Sequence, residues 1–241
     1  MQRSVAVARA QAWYNEETGD SISTTFLQNA YDDVQREVAE ETLCYPVSTT
    51  TNLTDSTRTL ILPAGLFAIR RKGIFTTIYN PLPGPERMDD IIAADVNWKT
   101  TEGTVAKWYI DAELNTTSGV TNWAIGFAPV PSATVTNGIT IQGFGIPADS
   151  TGDTYAPPWP TPYHDVMIWG MCVRACVRDF GMEMKNVKAT TYFTGGYEKA
   201  KSRLKTFAAG GIATHRIIRG SRAEQGTDEG TGVIRLSMTI S

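Results

Sequence analysis

Polar and apolar positions change their period twice along the chain. From residue 3 to 43 they recur at helical spacing. Val5, Ala8, Ala12 and Trp13 fall on one side of a helix over 3–16, which Gly19-Asp20 ends. Ser23 stands where it can cap a second helix reaching about Leu43, and Leu27, Tyr31, Val34 and Val38 form its stripe. Pro46 stops it. From Val47 the period shortens. Residues 47–57 are mostly Thr, Ser, Asn and Asp, which suits a loop or a polar strand. β-type runs follow at Thr57–Leu62, Leu66–Tyr79, Val105–Asp111, Asn122–Phe127 and Gly138–Ile146, rich in Ile, Thr and aromatics and punctuated by Pro or Gly. Asn137-Gly138 reads as the turn before the last run. Met88–Ala94 reads as one helical turn, and Asp149–Pro160 as a Pro-rich linker.

The helical period returns at Thr161. Thr161 is the expected cap, Pro162 fits the first helical position, and Asp165 lies near the positive helix end. The run from Val166 is apolar on almost every side for three turns, which predicts a helix buried all round and ending near Phe180. Phe193, Tyr197, Ala200, Leu204 and Phe207 make the stripe of a last helix, antiparallel to the one before. Gly195 and Gly196 weaken that helix by roughly 1 kcal/mol each relative to Ala. A close approach to the preceding helix would explain them.

Beyond Phe207 the chain is Gly-rich and polar, with two short β-type runs, Arg216–Arg219 and Val233–Ile240. This tail holds too little apolar surface to fold alone. It is expected to lack order in the free subunit and to add a strand to a neighbour's sheet edge. The contact residues this predicts are Arg216, Ile217, Ile218, Arg219, Arg222, Val233, Ile234 and Leu236. The fold class expected is α+β. A four-helix bundle-like domain (1–45 and 160–207) carries an inserted antiparallel β domain (46–159) and an extended C-terminal tail (208–241).

Composition changes this picture little. The net charge of −3 argues against a basic nucleic-acid-binding surface. No apolar run reaches the roughly 20 residues that span a bilayer, and the N-terminal stretch is too short for a secretory signal. Three cysteines give no disulfide framework and suit synthesis in a reducing cytosol. Candidate chemistry is sparse. Cys172 and Cys176 are four apart on the central helix, but His164 would stand about 12 Å away along the axis, so buried structural thiols are favoured over a zinc site. Asp89, Asp90 and Asp95 read as a solvated loop. No catalytic, cofactor or metal residues are proposed. Trp98, Trp108, Trp123 and Trp159 fall in or beside the β region. An exposed row of them could stack on sugars and would point to a carbohydrate-binding or glycan-degrading protein, and a small core is the favoured reading.

The order of segments resembles the head-to-tail adaptor (connector) proteins of tailed bacteriophages. The likeness rests on the opening helix with its Ala-Arg-Ala centre, on Ser23–Val38, and on Thr59-Leu-Ile-Leu-Pro63 with Leu66–Gly73. It extends over Trp108-Tyr-Ile-Asp111, Ile125–Pro131, Tyr163–Cys176 and Tyr192–Lys205. The resemblance implies a structural, non-enzymatic virion protein in the neck, made in the host cytoplasm. It implies a twelve-copy ring between the portal protein and a tail or nozzle protein, with DNA passing through the centre without sequence-specific binding. It implies no cofactor and no membrane partner. The tail residues named above would then contact portal or a neighbouring subunit.

Overall fold

The structure is a computed structural model and describes residues 1–19, 21–63, 65–76, 80–114, 121–150, 152–180, 187–213 and 233–235. In chain order the elements are α1 (Arg3–Thr18), α2 (Thr24–Thr42), β1 (Pro46–Leu53), β2 (Thr59–Ile61), β3 (Leu66–Thr76), α3 (Met88–Ala94), β4 (Glu102–Gly103), β5 (Lys107–Leu114), β6 (Thr121–Ala128), β7 (Val130–Pro131), β8 (Val135–Gly145), α4 (Asp165–Phe180), α5 (Val187–Ala213) and β9 (Val233–Arg235). The fold is α+β. The chain divides into two compact units. One is Met1–Tyr45 with Gly145–Gly220, and the other is Pro46–Phe144 with Ser221–Ser241.

In the helical unit, α4 is the central element and packs against α1, α2 and α5. Val166, Met167, Met171, Cys172 and Ala175 are fully buried along it, as its all-round apolar sequence predicts. Its start differs from expectation. Thr161–Tyr163 form a separate 3-10 turn capped by Pro160, and α4 begins only at Asp165. The reason lies at His164, which closes that turn. Its Nε2 sits 2.6 Å from the Trp159 carbonyl and its Nδ1 meets the Met1 amino group.

Ser23 caps α2 as expected, its hydroxyl accepting the Phe26 N–H at 3.2 Å, and the stripe Leu27, Tyr31, Val34 and Val38 is fully buried. α1 ends at Gly19, whose left-handed φ of 75° lets its N–H reach the Asn15 carbonyl at 3.0 Å. The buried face of α1, however, is Ala6, Val7, Ala10 and Tyr14. The expected side, Val5, Ala8, Ala12 and Trp13, faces outward. α1 has apolar residues on both sides, and the face carrying the large Tyr14 side chain gains more by burial.

α5 runs antiparallel to α4: Gly196 lies against Trp169, Arg203 pairs with Asp165 at 3.1 Å, and Phe207 stacks on Tyr163 at 4.8 Å. Phe193, Tyr197, Ala200 and Leu204 are buried, but Phe207 is 44% exposed and Ala208 takes its place in the core. The helix continues to Ala213, so residues 208–213 belong to α5 and not to an extended tail. Gly196 makes the close approach that its type suggests: a Cβ there would lie 2.6 Å from Trp169 Cζ3. Gly195 does not, and a Cβ there would meet nothing within 4 Å.

Residues 145–159, expected with the β domain, make their contacts on the helices. Ser150 donates to Asp32 Oδ1 through its N–H (2.9 Å) and its hydroxyl (2.6 Å). Gln35 donates to the Ala148 carbonyl (3.3 Å) and to the Tyr155 hydroxyl (2.9 Å), and Arg36 pairs with Asp149. Buried polar groups demand such partners, and this segment supplies them.

The β unit holds a four-stranded sheet in the order β1-β8-β3-β9, a three-stranded sheet β2-β6-β5 and a short parallel pair β4-β7. The polar run after Pro46 is a strand, not a loop. β1 pairs antiparallel with β8 from Pro46↔Phe144 to Leu53↔Val135, at the sheet edge where Thr and Ser can face water. Asn137-Gly138 lies inside β8 and is not a turn before it. Asn137 has φ 53°, its N–H donates to Asn52 Oδ1 at 2.9 Å, and the pairing register shifts there, as at a bulge. The unit's core is Leu62, Ile69, Ile74, Leu82, Val105, Trp108, Ile125, Phe127, Ile139 and Ile141.

Candidate assembly interface

The outer side of α1, α4 and α5 carries a chain of aromatic rings. Trp13 meets Trp169 edge-on at 5.0 Å, Trp169 meets Tyr192 at 5.4 Å, and Tyr192 meets Phe193 at 5.4 Å. Trp13 is 36% exposed and Tyr192 49%, while Phe193 is buried. Val5, Val177 and Val187 are exposed on the same three helices. Contiguous exposed apolar surface marks a candidate contact area, and here the contiguous part is Trp13 and Tyr192 about Trp169.

An ion cluster ties α2, α4 and α5. Glu37 accepts from Arg174 (2.6 Å) and from the Tyr197 hydroxyl (3.0 Å), and Lys201 lies 3.5 Å from it. Lys201, only 8% exposed, also reaches Glu41 and Glu198, both at 2.8 Å. Burial opposes its charge, yet the hydrogen bonds it donates to Glu198 and Glu41 outweigh that and hold its pKa above the ordinary value. Burial, then the neighbouring Glu37, raise the pKa of Tyr197.

The three thiols are free and buried. Burial pushes Cys172 up to about 12, with Cys176 adding to it, and Cys44 up to about 11. Cys172 donates weakly to the Ala10 carbonyl at 3.5 Å. His164 is held below its ordinary pKa, chiefly by burial. Among the described residues no group of His, Cys, Asp and Glu is arranged to hold a metal ion. Asp89 and Asp90 sit in the first turn of α3, and Asp95 accepts the Asn97 N–H at 2.8 Å.

Trp98 and Trp108 are buried in the β unit and Trp159 in the helical core, so they form no exposed row. The side chain of Trp123 lies outside the described residues. One cavity of about 640 Å³ opens beside Trp98, lined by Arg58, Met88, Ile92, Lys99 and Asp111. Its cations are already engaged: Arg58 sits 5.0 Å over the Trp98 ring and 3.7 Å from Asp111, and Lys99 sits 5.6 Å over the same ring.

Of the predicted tail residues, Arg216, Ile217, Ile218, Arg219, Arg222 and Leu236 lie outside the described residues. Val233 and Ile234 form β9, which pairs antiparallel with β3: Ala68↔Arg235, Ile69↔Ile234 and Arg70↔Val233. From sequence, the run Val233–Ile240 is expected to lack order in the free subunit and to join a neighbour's sheet, whereas its first three residues pair with β3 of the same chain, an edge that is a property of topology and not of local sequence. Sequence reasoning also missed the outer face of α1, although apolar residues on both sides of that helix carried the signal.

The described surface thus carries two features that stand out: an aromatic helical face, and a sheet whose last strand, β9, comes from the C-terminal stretch of the same chain. The sequence profile of the SU10 adaptor protein family matches residues 1–219, and the chain belongs to that family. The family is one of structural bacteriophage adaptors, not of enzymes, and membership implies a place in the virion neck. No curated protein matches the chain. No described helix is long and apolar enough to cross a membrane.

Proposed function

We propose that this chain is a head-to-tail adaptor that assembles as a twelve-copy ring under the portal and joins it to a tail or nozzle protein, with DNA passing through the centre. The observation that carries this reading is the family match over residues 1–219, which spans the four long helices and the strands between them. In this reading α1, α2, α4 and α5 are a four-helix bundle and the β unit is an insertion in it. The aromatic face of Trp13, Trp169 and Tyr192 supplies apolar area for packing in the neck. The tail residues Arg216–Arg219, Arg222, Val233, Ile234 and Leu236 contact portal or a neighbouring subunit. Exposed ion pairs add only about 0–1 kcal/mol each, so strand addition repeated around the ring supplies more of the affinity.

The test is the mass of the purified protein by light scattering, alone and after mixing with its portal. A defined multimer that co-sediments with portal is expected. A chain that stays monomeric and fails to associate with portal overturns the reading. Truncation after Ala213, which keeps all of α5, separates the parts. The truncated protein should keep its helical unfolding transition and lose portal binding. Undiminished binding would move the contact to the helices.

A further inference from the structure

The strand β9 is three residues long and closes the edge of an eleven-residue strand, β3. Its acceptor positions are well defined. Ala68 and Ile69 are fully buried, and Ile69 belongs to the core of the β unit. An edge left open there would present unpaired N–H and C=O groups beside apolar side chains, the arrangement that recruits another strand. We propose that the β3 edge at Ala68–Arg70 is a strand-acceptor site and that, between copies of this chain, it takes β9 of the neighbour. The proposal rests on the reading above that several copies assemble together, and it names the partner of the tail: a second adaptor chain.

Three observations lead there. First, the fit is present in a single chain, with residue-by-residue register from Ala68↔Arg235 to Arg70↔Val233. An exchanged strand makes the same contacts, so exchange needs no new chemistry. Second, chain length does not bind the strand to its own sheet. Val233 follows the end of α5 at Ala213 by twenty residues. That contour reaches up to about 66–72 Å, against a radius of gyration of about 18 Å for a compact chain of this size. Loop-closure cost rises only slowly with the number of residues, and a multi-copy assembly raises the local concentration of a neighbour's edge. Third, the edge discriminates. β3 carries Arg70-Arg71-Lys72, while Asp228 and Glu229 stand shortly before β9 in the sequence. Consecutive cations blunt an edge against indiscriminate pairing; β9 itself carries Arg235, so the charge of opposite sign lies only in Asp228 and Glu229 before it. The family match ends at residue 219, before β9.

The test uses two full-length single variants, R70C and V233C, which occupy directly paired positions. Opposed Cβ atoms on antiparallel strands stand about 4.5–5.5 Å apart, close enough for a disulfide after small adjustment. Cys44, Cys172 and Cys176 are buried, and the unsubstituted protein serves as their control. The two variants are co-expressed with different tags, sized by light scattering, then mildly oxidised and run on a non-reducing gel. A two-chain band that carries both tags and vanishes on reduction is expected, because each chain alone lacks one cysteine of the pair. The double variant R70C/V233C supplies the comparison. If it closes within one chain while the mixture gives no two-chain band, the strand stays on its own sheet and exchange is overturned. A multimer that persists by light scattering in that case leaves the ring reading standing. If neither sample cross-links, the β9–β3 register itself is wrong. A protein that is monomeric at every concentration overturns exchange and ring together.

Discussion

Gly195 and Gly196 are neighbours on α5, and they should answer the same substitution in opposite directions. Replacing a helix-interior Gly by Ala stabilises by about 0.8–1.0 kcal/mol through propensity alone. At Gly195 nothing lies within 4 Å of the new Cβ, so G195A should gain that amount. At Gly196 the new Cβ would stand 2.6 Å from Trp169 Cζ3 and 2.7 Å from Cδ2. Carbon atoms rest about 3.5–4.0 Å apart, so the ring must retreat by about 1 Å. It has little freedom to do so: Trp13, Tyr192 and Phe193 hold it at 5.0, 5.4 and 6.2 Å. Overpacking of this kind costs about 1–3 kcal/mol. Offset by the propensity gain, G196A should lose about 0–2 kcal/mol and lie about 1–3 kcal/mol below G195A. Guanidinium unfolding followed by far-ultraviolet circular dichroism reads this as a shift of midpoint at unchanged slope. Shrinking the ring with Trp169→Leu in the G196A background should recover part of the gap, as expected of touching side chains. If G196A proves as stable as G195A, the close packing of α5 on α4 at this level is refuted.

Leu204 is fully buried among the helices, and Leu204→Ala should cost about 2–5 kcal/mol in denaturant unfolding; a loss below about 0.5 would turn that stripe to solvent. Lys201→Met should cost about 1–3 kcal/mol, because it strips Glu37 and Glu41 of their shared cation, and a neutral result would show that water already screens the cluster. Acid should destabilise the helical unit through His164. The folded state holds its pKa below the ordinary 6.5, so the unfolded chain takes the proton first. Stability is therefore full above about 6.5 and is lost as pH falls toward the lower folded value. His164→Gln should flatten that slope in pH-dependent thermal melts, and an unchanged slope would assign it to other groups.

Where one apolar stripe stood against a polar background, the sequence was readable to the residue. α2 is the example, with Ser23 as cap and Leu27, Tyr31, Val34 and Val38 inside. Where a helix was apolar on more than one side, the pattern could say helix but not which side turns inward, and α1 came out reversed. Phe207 failed for a related reason: stacking on Tyr163 holds it at the surface, and the smaller Ala208 fits the core. Asn137-Gly138 carried true turn chemistry, since Asn137 is left-handed, but cross-strand pairing on both sides made it a bulge. The C-terminal strand was legible in part, since only Val233–Arg235 of its β-type run is strand. Its acceptor edge depends on which strands end a sheet, and no local pattern records that.

At Gly170 three helices meet through a single missing methyl group. A Cβ there would lie 2.5 Å from Val34 Cγ1 and 2.9 Å from Tyr197 Cε2, so side chains of α2 and α5 occupy the space beside α4. The consequence is a shared inheritance. Positions 34, 170 and 197 cannot drift independently: an alanine at 170 demands a smaller residue at 34 or a ring displaced at 197. Lineages that lose this glycine should show compensating change at the other two sites, and a graft that carries α4 without its partners should fail to seat.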